Sequence, residues 1–338
     1  MSASQLVLVS GASGFVGTAV TLAYLEAGYR VRGTVRSQDK ADAWAKKHAG
    51  AFKDGQLEWA IVKDIAAPGA FDEAIKGVDI VAHTASPFHF DVKDNEKDML
   101  IPALEGTRQC LRAAQKEPSV KRVVLTTSFA AVMDFDRLGP DTTFSHKDWN
   151  PATYETAKKS DNPSYVYCAS KKIAEEEAWS IAKEPETKWS LSTVAPPMVF
   201  GPPLQVINSL DSINTSSGAV WAVVDSKEVP PASFPVGTDS RDIAKLHVLA
   251  STTEEGKDQR FLAIAFHYDN NQVAEIARSF PELKDRVPGP SDGAAAQPHF
   301  NTDSSLVEKT FPGWKWTSFE QSTKDTLAEI LKVEKQLK

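Results

Sequence analysis

Residues 6–17 decide the fold, and they read Leu6-Val7-Leu8-Val9-Ser10-Gly11-Ala12-Ser13-Gly14-Phe15-Val16-Gly17. The first four residues form a continuous apolar run of strand length, which is typical of a strand buried on both faces. The pattern then predicts a helix from about Phe15 to Ala27, and Gly28 ends it. The intervening glycines permit a tight turn that lets backbone N–H groups approach a pyrophosphate. Such a turn alone is often only structural, but its place between strand and helix favours dinucleotide binding by residues 11–17.

Strand and helix patterns alternate through the first half of the chain. Apolar, β-branched runs predict four more strands, at residues 30–35, 57–62, 78–82 and 122–126. Helical patterns fill the gaps, notably from Asn95 to Ala114. Repeated β-α-β units build a parallel sheet with helices on both faces. The sequence therefore predicts an α/β protein with a Rossmann-type, doubly wound parallel sheet.

The second half of the chain is less regular. A polar loop over residues 134–163 precedes a strong helix, Ser164–Ala182, and a strand, Trp189–Val194. Beyond Pro196, loop-forming residues become frequent and the apolar periodicity weakens.

Two later segments are again regular. Arg260–Ala265 is predicted to return to the sheet as a strand, and residues 318–337 form an amphipathic helix. We therefore expect a dinucleotide-binding domain and a smaller, interleaved C-terminal substrate-binding lobe. The first comprises residues 1–195 and 241–266, and the second comprises residues 196–240 and 267–338.

Composition excludes several classes of partner. Charged residues make up 25% of the 338 and hydrophobic residues 41%, as in soluble globular proteins. The net charge of -7 leaves no surplus of Lys and Arg for phosphates, so we do not expect nucleic acid as a partner. The two cysteines, Cys110 and Cys168, form no disulfide framework. No signal-peptide pattern or membrane-length apolar run is present. We expect a cytoplasmic protein that binds no membrane and no metal.

The end of the second strand indicates which dinucleotide is bound. A carboxylate there would bind the ribose 2′-hydroxyl of NAD and repel a 2′-phosphate. The chain instead reads Arg32-Gly33-Thr34-Val35-Arg36-Ser37, with Lys40 one helical turn later. Arg36 can form paired hydrogen bonds with a 2′-phosphate, and Lys40 adds charge. Ordinary surface cations are the alternative, but the pattern favours NADPH/NADP+.

Tyr167-Cys168-Ala169-Ser170-Lys171 places a Tyr and a Lys on one face of a helix. A free Tyr has a pKa of about 10, and a neighbouring ammonium is expected to lower it. Tyr167 can then pass a proton to or from a carbonyl oxygen. Ser128, at the end of the fifth strand, is placed to hydrogen-bond the same oxygen. We predict these three as the catalytic residues.

The same spacing occurs a second time, at Tyr154 and Lys158. Tyr167 heads a long helix behind the turn Asp161-Asn162-Pro163, whereas Tyr154 follows Asn150-Pro151 in a predicted loop. This context favours the pair at Tyr167.

Polar residues also follow the third and fourth strands. Asp64 is placed to contact an adenine, although a turn or helix-cap role is equally compatible with its position. His83 is interpreted as a packed structural histidine. Thr84 and Ser86 are the predicted cofactor contacts, since cofactors bind at this edge of a parallel sheet.

Together these stretches resemble the extended short-chain dehydrogenase/reductases, and within them the dihydroflavonol-reductase-like branch with its fungal ketoreductases and methylglyoxal reductases. The resemblance covers nearly the whole chain. It rests on these stretches, in order: residues 11–17, 33–40, 83–87, 125–132, 148–153, 167–172 and 199–202.

The resemblance implies further roles. Lys171 would also hold the nicotinamide ribose, and Asp64 with Ile65 would contact the adenine. Residues Pro196 to Val199 would line the nicotinamide, and Ser216 would touch the phosphate side of the cofactor. An apolar substrate wall would be formed by Phe88, Phe129, Met198 and Trp221. Each of these four side chains could equally be core. The family also suggests a monomer or a homodimer.

Two positions depart from the family pattern. Glu105 stands where the family usually has an Asn, which puts a proton relay through that side chain in doubt. Ala195-Pro196 replaces the family's Asn-Pro, so contacts from that Asn are lost. The leading hypothesis is an NADPH-dependent reductase of aldehydes, ketones or α-dicarbonyls. The alternatives are a non-catalytic NADP(H) sensor and a sugar-nucleotide epimerase of the same fold.

Overall fold

The computed structural model describes residues 5–86, 92–232, 234–297 and 299–338. Its strands are β1 (Leu6–Ser10), β2 (Arg30–Val35), β3 (Leu57–Ile61), β4 (Ile80–His83), β5 (Arg122–Thr126), β6 (Thr143–Ser145), β7 (Ser190–Ala195), β8 (Met198–Phe200), β9 (Val236–Asp239), β10 (Arg260–Leu262), β11 (Phe266–His267) and β12 (Asn301–Asp303). Its α-helices are α1 (Phe15–Glu26), α2 (Gln38–Lys47), α3 (Ile101–Lys116), α4 (Tyr154–Lys158), α5 (Pro163–Ala182), α6 (Thr215–Trp221), α7 (Ser240–Thr252), α8 (Asn270–Arg278), α9 (Ser305–Thr310) and α10 (Phe319–Leu337).

The main sheet has seven strands in the order β10-β7-β5-β4-β1-β2-β3, and every pairing in it is parallel. β1 lies inside the sheet between β2 and β4, where the strand order reverses direction. Ligands of such sheets bind outside the carboxyl ends of the strands at this reversal. The predicted Rossmann-type fold is confirmed, and the glycine turn of residues 11–17 lies at the reversal point.

The two faces of the sheet are covered by different helices. In β1, Leu6 and Leu8 pack into the core on the side of α3 and α5, and Val7 and Val9 pack with α1 on the other side. The alternation follows from the period of two along a strand. Because both faces are buried, all of β1 is apolar up to Ser10.

Part of the second half of the chain forms a second layer of structure beside the sheet. A three-stranded sheet, β11-β9-β8, packs near α6, α8 and α10 around its own apolar cluster. Strand β10 pairs with β7 in the main sheet, and helix α7 packs against β5 and β7. Val307, Phe311 and Trp314 also pack against the main sheet, although residues 267–338 are assigned to the lobe in the sequence-based division. That division stays a prediction.

Two local predictions differ from the structure. The helix predicted from Asn95 begins as a π-helix, Asn95–Leu100, before α3 starts. Pro102 lies in the first turn of α3 and has no N–H for the helical ladder, which accounts for a change of hydrogen-bond register there. The predicted loop at Tyr154 is a short helix, α4, because Thr153 and Thr156 form a capping box at its start. Among the described residues, no helix is long and apolar enough to cross a membrane.

Candidate active site

The turn between β1 and α1 needs its glycines. Gly11 has a φ of 65°, a left-handed conformation that side chains disfavour. At Gly17 an added Cβ would lie 2.1 Å from the backbone oxygen of Gly11, so α1 can approach the turn only with glycine there. The first turn of α1 contains no acidic side chain. The N-terminal end of α1 is therefore free to face an anion.

A cleft of about 240 Å³ opens beside this turn. It is lined by Gly11, Ser13, Gly14, Thr34, Val35, Arg36, Lys40, Val62, Ile65, Thr84, Ala85 and Ser86. The cleft thus brings together residues predicted from four separate stretches of sequence. Thr34, Val35, Val62 and Ala85 were not predicted, although their positions at the ends of β2, β3 and β4 would have indicated them.

Arg36 and Lys40 are the cations of the cleft, and both are exposed. Within the described part of the chain, neither side chain makes a hydrogen bond or an ion pair with protein. Their charges are therefore available to an anionic ligand at this end of the cleft.

Lys171, on α5, reaches the opposite end of the cleft. Its Nζ donates a hydrogen bond to Ser86 Oγ at 2.5 Å and lies 5.4 Å from the centre of the Tyr167 ring. Burial lowers the pKa of Lys171 to about 8. An ammonium with this pKa is still mostly protonated at neutral pH and can act on neighbouring oxygens.

Tyr167 shares a hydrogen bond with Ser128, whose Oγ also accepts from the backbone N–H of Ala130 at 3.1 Å. Burial raises the pKa of Tyr167 above its ordinary value, and the hydrogen bond with Ser128 only partly offsets this. The expected lowering of this pKa by Lys171 is therefore wrong in this structure, because loss of solvent is the largest influence on the phenol. Tyr167 is a neutral O–H donor at neutral pH. Ser128, Tyr167 and Lys171 lie together, as the sequence predicts.

The second Tyr-x-x-x-Lys pair has a different setting. The Tyr154 hydroxyl donates to Glu96 Oε1 at 3.0 Å, and Lys158 Nζ lies 2.7 Å from Glu96 Oε2. Both side chains thus hold α4 against the preceding π-helix. Their shared contact with Glu96 explains Tyr154 and Lys158 as structural residues.

His83 is buried beneath the cleft. Ser10 Oγ accepts from the backbone N–H groups of Thr84 and Ala85, both at 2.9 Å, so its own hydrogen points to His83 Nδ1 at 2.7 Å. His83 is therefore neutral with its hydrogen on Nε2, and burial lowers its pKa to about 4. This arrangement fixes the turn that leads to Thr84 and Ser86. These contacts agree with the interpretation of His83 as a packed structural histidine.

Several predicted residues lie away from the described cleft lining. Asp64 Oδ1 accepts from the Ala66 N–H at 2.9 Å, a turn-capping contact, while its neighbour Ile65 lines the cleft. Ala12 is fully buried against the core of β1, and Val16 also packs into the core. Ser216 Oγ accepts from Asn214 Nδ2 at 3.0 Å. Their predicted cofactor contacts stay predictions.

The predicted substrate wall is largely packed into apolar clusters. Phe129 is fully buried against Phe144, Phe234 and Phe300, with ring centres within 5.7 Å. Met198 and Trp221 pack against the cluster of the second layer. Phe88 lies outside the described residues.

The residues predicted to line the nicotinamide, and the two residues that depart from the family pattern, have defined places in the structure. Pro196 is buried and its carbonyl oxygen accepts from the Phe129 N–H at 2.9 Å; Val199 lies on β8, 7% exposed. Ala195 is buried at the end of β7. Glu105 pairs with Arg108, which also reaches Glu177 Oε1 at 2.7 Å, so Glu105 belongs to a link between α3 and α5.

Comparison with known proteins places this chain in a family. The pattern of the 3-beta hydroxysteroid dehydrogenase/isomerase family matches residues 8–273. This chain belongs to that family. The family match runs from β1 to α8 and so includes the whole glycine turn and the Tyr167–Lys171 pair. The resemblance to extended short-chain dehydrogenase/reductases is confirmed.

Individual relatives are similar to this chain over most of its length. The NADPH-dependent methylglyoxal reductase of Saccharomyces cerevisiae is 35% identical over 342 residues, covering 97% of this chain and 98% of that protein. A ketoreductase of Aspergillus niger is 35% identical over 303 residues, covering 86% and 87%. The crystal structure of the yeast methylglyoxal/isovaleraldehyde reductase with NADPH has a TM-score of 0.85 at 33% identity, covering 98% of this chain and 100% of that chain.

Proposed function

We propose that this chain catalyses the NADPH-dependent, reversible reduction of aldehydes, ketones or α-dicarbonyls to alcohols. One observation carries the proposal. A single cleft has unpaired cations at one end, Arg36 and Lys40, and at the other end Ser86, which is hydrogen-bonded to Lys171 beside Tyr167. Similarity to NADPH-dependent reductases over nearly the full chain supports the same function.

The residues of the cleft fit NADPH. The turn at Gly11 and Gly14 and the N-terminal end of α1 would hold the pyrophosphate. Arg36 and Lys40 would bind the 2′-phosphate, and Ile65 would contact the adenine. Lys171 would hold the ribose next to the nicotinamide. When bound, NADPH supplies the hydride for the carbonyl carbon.

The three catalytic residues would then act on the carbonyl oxygen. Tyr167 keeps its proton at neutral pH and gives it to the oxygen on which negative charge develops. Ser128 hydrogen-bonds that oxygen and holds the phenol in place. The Lys171 ammonium stabilises the phenolate that Tyr167 becomes. Oxidation of the alcohol follows the same steps in reverse.

The substrate-facing residues, the compartment and the oligomeric state are also part of the proposal. Phe88, Phe129, Met198 and Trp221 are proposed as substrate-facing residues on the family resemblance. The acidic net charge of -7 disfavours nucleic acid, and the partner would be a small molecule in the cytoplasm. A monomer or homodimer is proposed.

The test measures oxidation of NADPH, with NADH in parallel, over aldehydes, aryl ketones and α-dicarbonyls. We expect Tyr167→Phe to lower kcat about 100-fold or more, because general acid catalysis is worth about 10² to 10⁴ in rate. Tyr154→Phe is the matched control, since it removes a hydroxyl from the other Tyr-x-x-x-Lys pair. It should keep kcat within about twofold.

Other outcomes would point to the alternatives. Tight NADPH binding without turnover on any carbonyl would favour a sensor. Purified protein that carries NAD would favour a sugar-nucleotide epimerase. Equal losses in Tyr167→Phe and Tyr154→Phe would remove Tyr167 from its proposed role.

A further inference from the structure

Glu175 is a fully buried carboxylate on α5, the helix that carries Tyr167 and Lys171. Its two oxygens accept from the hydroxyls of Thr127 at 2.8 Å and Thr193 at 2.9 Å. Arg260 also donates, with Nε 2.8 Å from Oε1 and Nη2 3.2 Å from Oε2, and Trp179 Nε1 of the same helix lies 3.4 Å from Oε1. One side chain of the helix is therefore bonded to residues from three strands of the main sheet or their ends.

Arg260 extends this network to a loop. Its Nη1 donates to the backbone oxygens of His146 at 2.9 Å and Asp148 at 2.6 Å. Its guanidinium carbon lies 3.7 Å from the centre of the Trp149 ring. Arg260 thus fixes the loop after β6 as well as the carboxylate on α5. Every donor of this buried ion pair that the structure shows is directed at a named partner.

Burial of such a pair needs a reason other than stability. Removing two charges from water is costly, and well-packed apolar residues often replace buried ion pairs without loss of stability. The ion pair fixes the orientation of the Glu175 side chain, because each of its two oxygens has its own hydrogen-bond donors. The donor Thr127 immediately precedes Ser128, whereas Thr193 lies on β7, which carries none of the proposed catalytic residues.

We propose that Glu175 and Arg260 are positioning residues that hold α5, with Tyr167 and Lys171, in register with Ser128 at the end of β5. The inference rests on the proposed function. The bond from Thr127 to Glu175 joins α5 to the residue that immediately precedes Ser128. Small displacements of reacting groups, of about 1 Å, can lower rates about 10²-fold. Neither residue touches the substrate in this assignment.

The first test compares two isosteric variants, Thr127→Val and Thr193→Val. Each removes one hydroxyl donor to the same carboxylate, so each should lower the melting temperature similarly. We expect Thr127→Val to lower kcat about tenfold and Thr193→Val to lower it less than about threefold. The affinity for NADPH, measured by fluorescence titration, should change less than about twofold in both. A larger loss of kcat in Thr127→Val than in Thr193→Val, at similar melting temperatures, is not expected of purely structural contacts.

The second test changes the ion pair itself. Glu175→Gln should lower kcat about 100-fold, while Glu177→Gln, two positions along the same helix, should keep kcat within about twofold, because its partner Arg108 lies on α3. Arg260→Lys should retain more kcat than Arg260→Met. If Glu175→Gln does not fold, the two threonine variants decide.

The outcomes separate the two proposals. Equal loss of kcat in Thr127→Val and Thr193→Val, with turnover by the unchanged protein, would overturn the positioning role alone. So would losses that follow the melting temperature across all variants. Absence of any NADPH oxidation by the unchanged protein would overturn the proposed function and the positioning role together.

Discussion

Two exposed cations, Arg36 and Lys40, line the cleft beyond the end of β2. A 2′-phosphate is the feature that distinguishes NADPH from NADH, and an arginine can bind it through two parallel hydrogen bonds. Hydrogen bonds to charged groups contribute about 1.5 to 3 kcal/mol. We therefore propose that one or two side chains set the preference for NADPH.

We expect Arg36→Ala to raise KM for NADPH about tenfold or more and to leave KM for NADH nearly unchanged. Lys40→Ala should give a smaller effect, because an ammonium binds as a single point charge. Arg30→Ala is the control, since Arg30 is exposed at the opposite end of the same strand. Steady-state kinetics with both cofactors measures this. A parallel rise in KM for NADPH and NADH would contradict a specific 2′-phosphate contact.

The environment also distinguishes residues of the same type. Tyr154 and Tyr167 each precede a lysine by four positions. The Tyr154 hydroxyl is hydrogen-bonded to the carboxylate of Glu96, whereas the Tyr167 hydroxyl is hydrogen-bonded to Ser128. Burial and the Glu96 carboxylate both disfavour the phenolate form of Tyr154, so this tyrosine keeps its proton. The same carboxylate forms an ion pair with Lys158. Of the two pairs, Tyr167 and Lys171 lie beside the cleft.

At the scale of elements, the contact between β1, the glycine turn and α1 depends on missing side chains. Gly17 lies in α1 directly against the oxygen of Gly11. Gly218 lies in α6 with open space around its Cα. The same substitution therefore has opposite consequences in the two helices.

We expect Gly17→Ala to lower the free energy of unfolding by about 1 to 3 kcal/mol, because the added methyl group forces α1 away from the turn. NADPH affinity should fall with it. Gly218→Ala should raise the free energy of unfolding by up to about 1 kcal/mol, since alanine favours the helix. Urea denaturation and NADPH titration measure both effects. Unchanged NADPH affinity in Gly17→Ala would argue against pyrophosphate binding at this turn.

At the scale of the whole molecule, two histidines are neutral inside the core. His247 lies between the carbonyl oxygen of Ile243 at 2.8 Å and the Thr126 hydroxyl at 2.7 Å, and burial lowers its pKa to about 4. His83 has the same lowered pKa, also about 4, again through burial. Both gain a charge when the protein is acidified; His83 lies on β4 and His247 on α7.

The sign of the pH dependence follows from these values. Between the unfolded value of about 6.5 and the folded value of about 4, the unfolded chain binds more protons, so stability falls as the pH falls. We expect each histidine to remove about 2 kcal/mol from the free energy of unfolding between pH 7 and pH 5. His247→Asn should reduce this pH dependence by about that amount. Urea denaturation at both pH values measures the slope, and an unchanged slope in the variant would contradict the assignment.

Local patterns in the sequence determined much of this protein. Apolar runs with a period of two, helical repeats and the spacing of Gly11, Gly14 and Gly17 predict the parallel sheet, the turn at its strand reversal and the dinucleotide site. Arg36 and Lys40 predict the phosphate preference from two positions at a strand end. The pair Tyr167 and Lys171 is four positions apart on one helix. All these features depend on residues within a few turns of each other, which a sequence records directly.

Only the tertiary structure decided which partners these residues meet. Lys171 contacts Ser86, and Glu175 contacts Arg260, each across 85 positions of sequence. Burial, which raises the pKa of Tyr167 and packs Phe129 into an aromatic cluster, also arises from distant segments. The physical reason is that solvent exclusion and charge pairing are set by what surrounds a side chain in space. Spacing along the chain specifies a helix face, but the folded sheet specifies what that face touches.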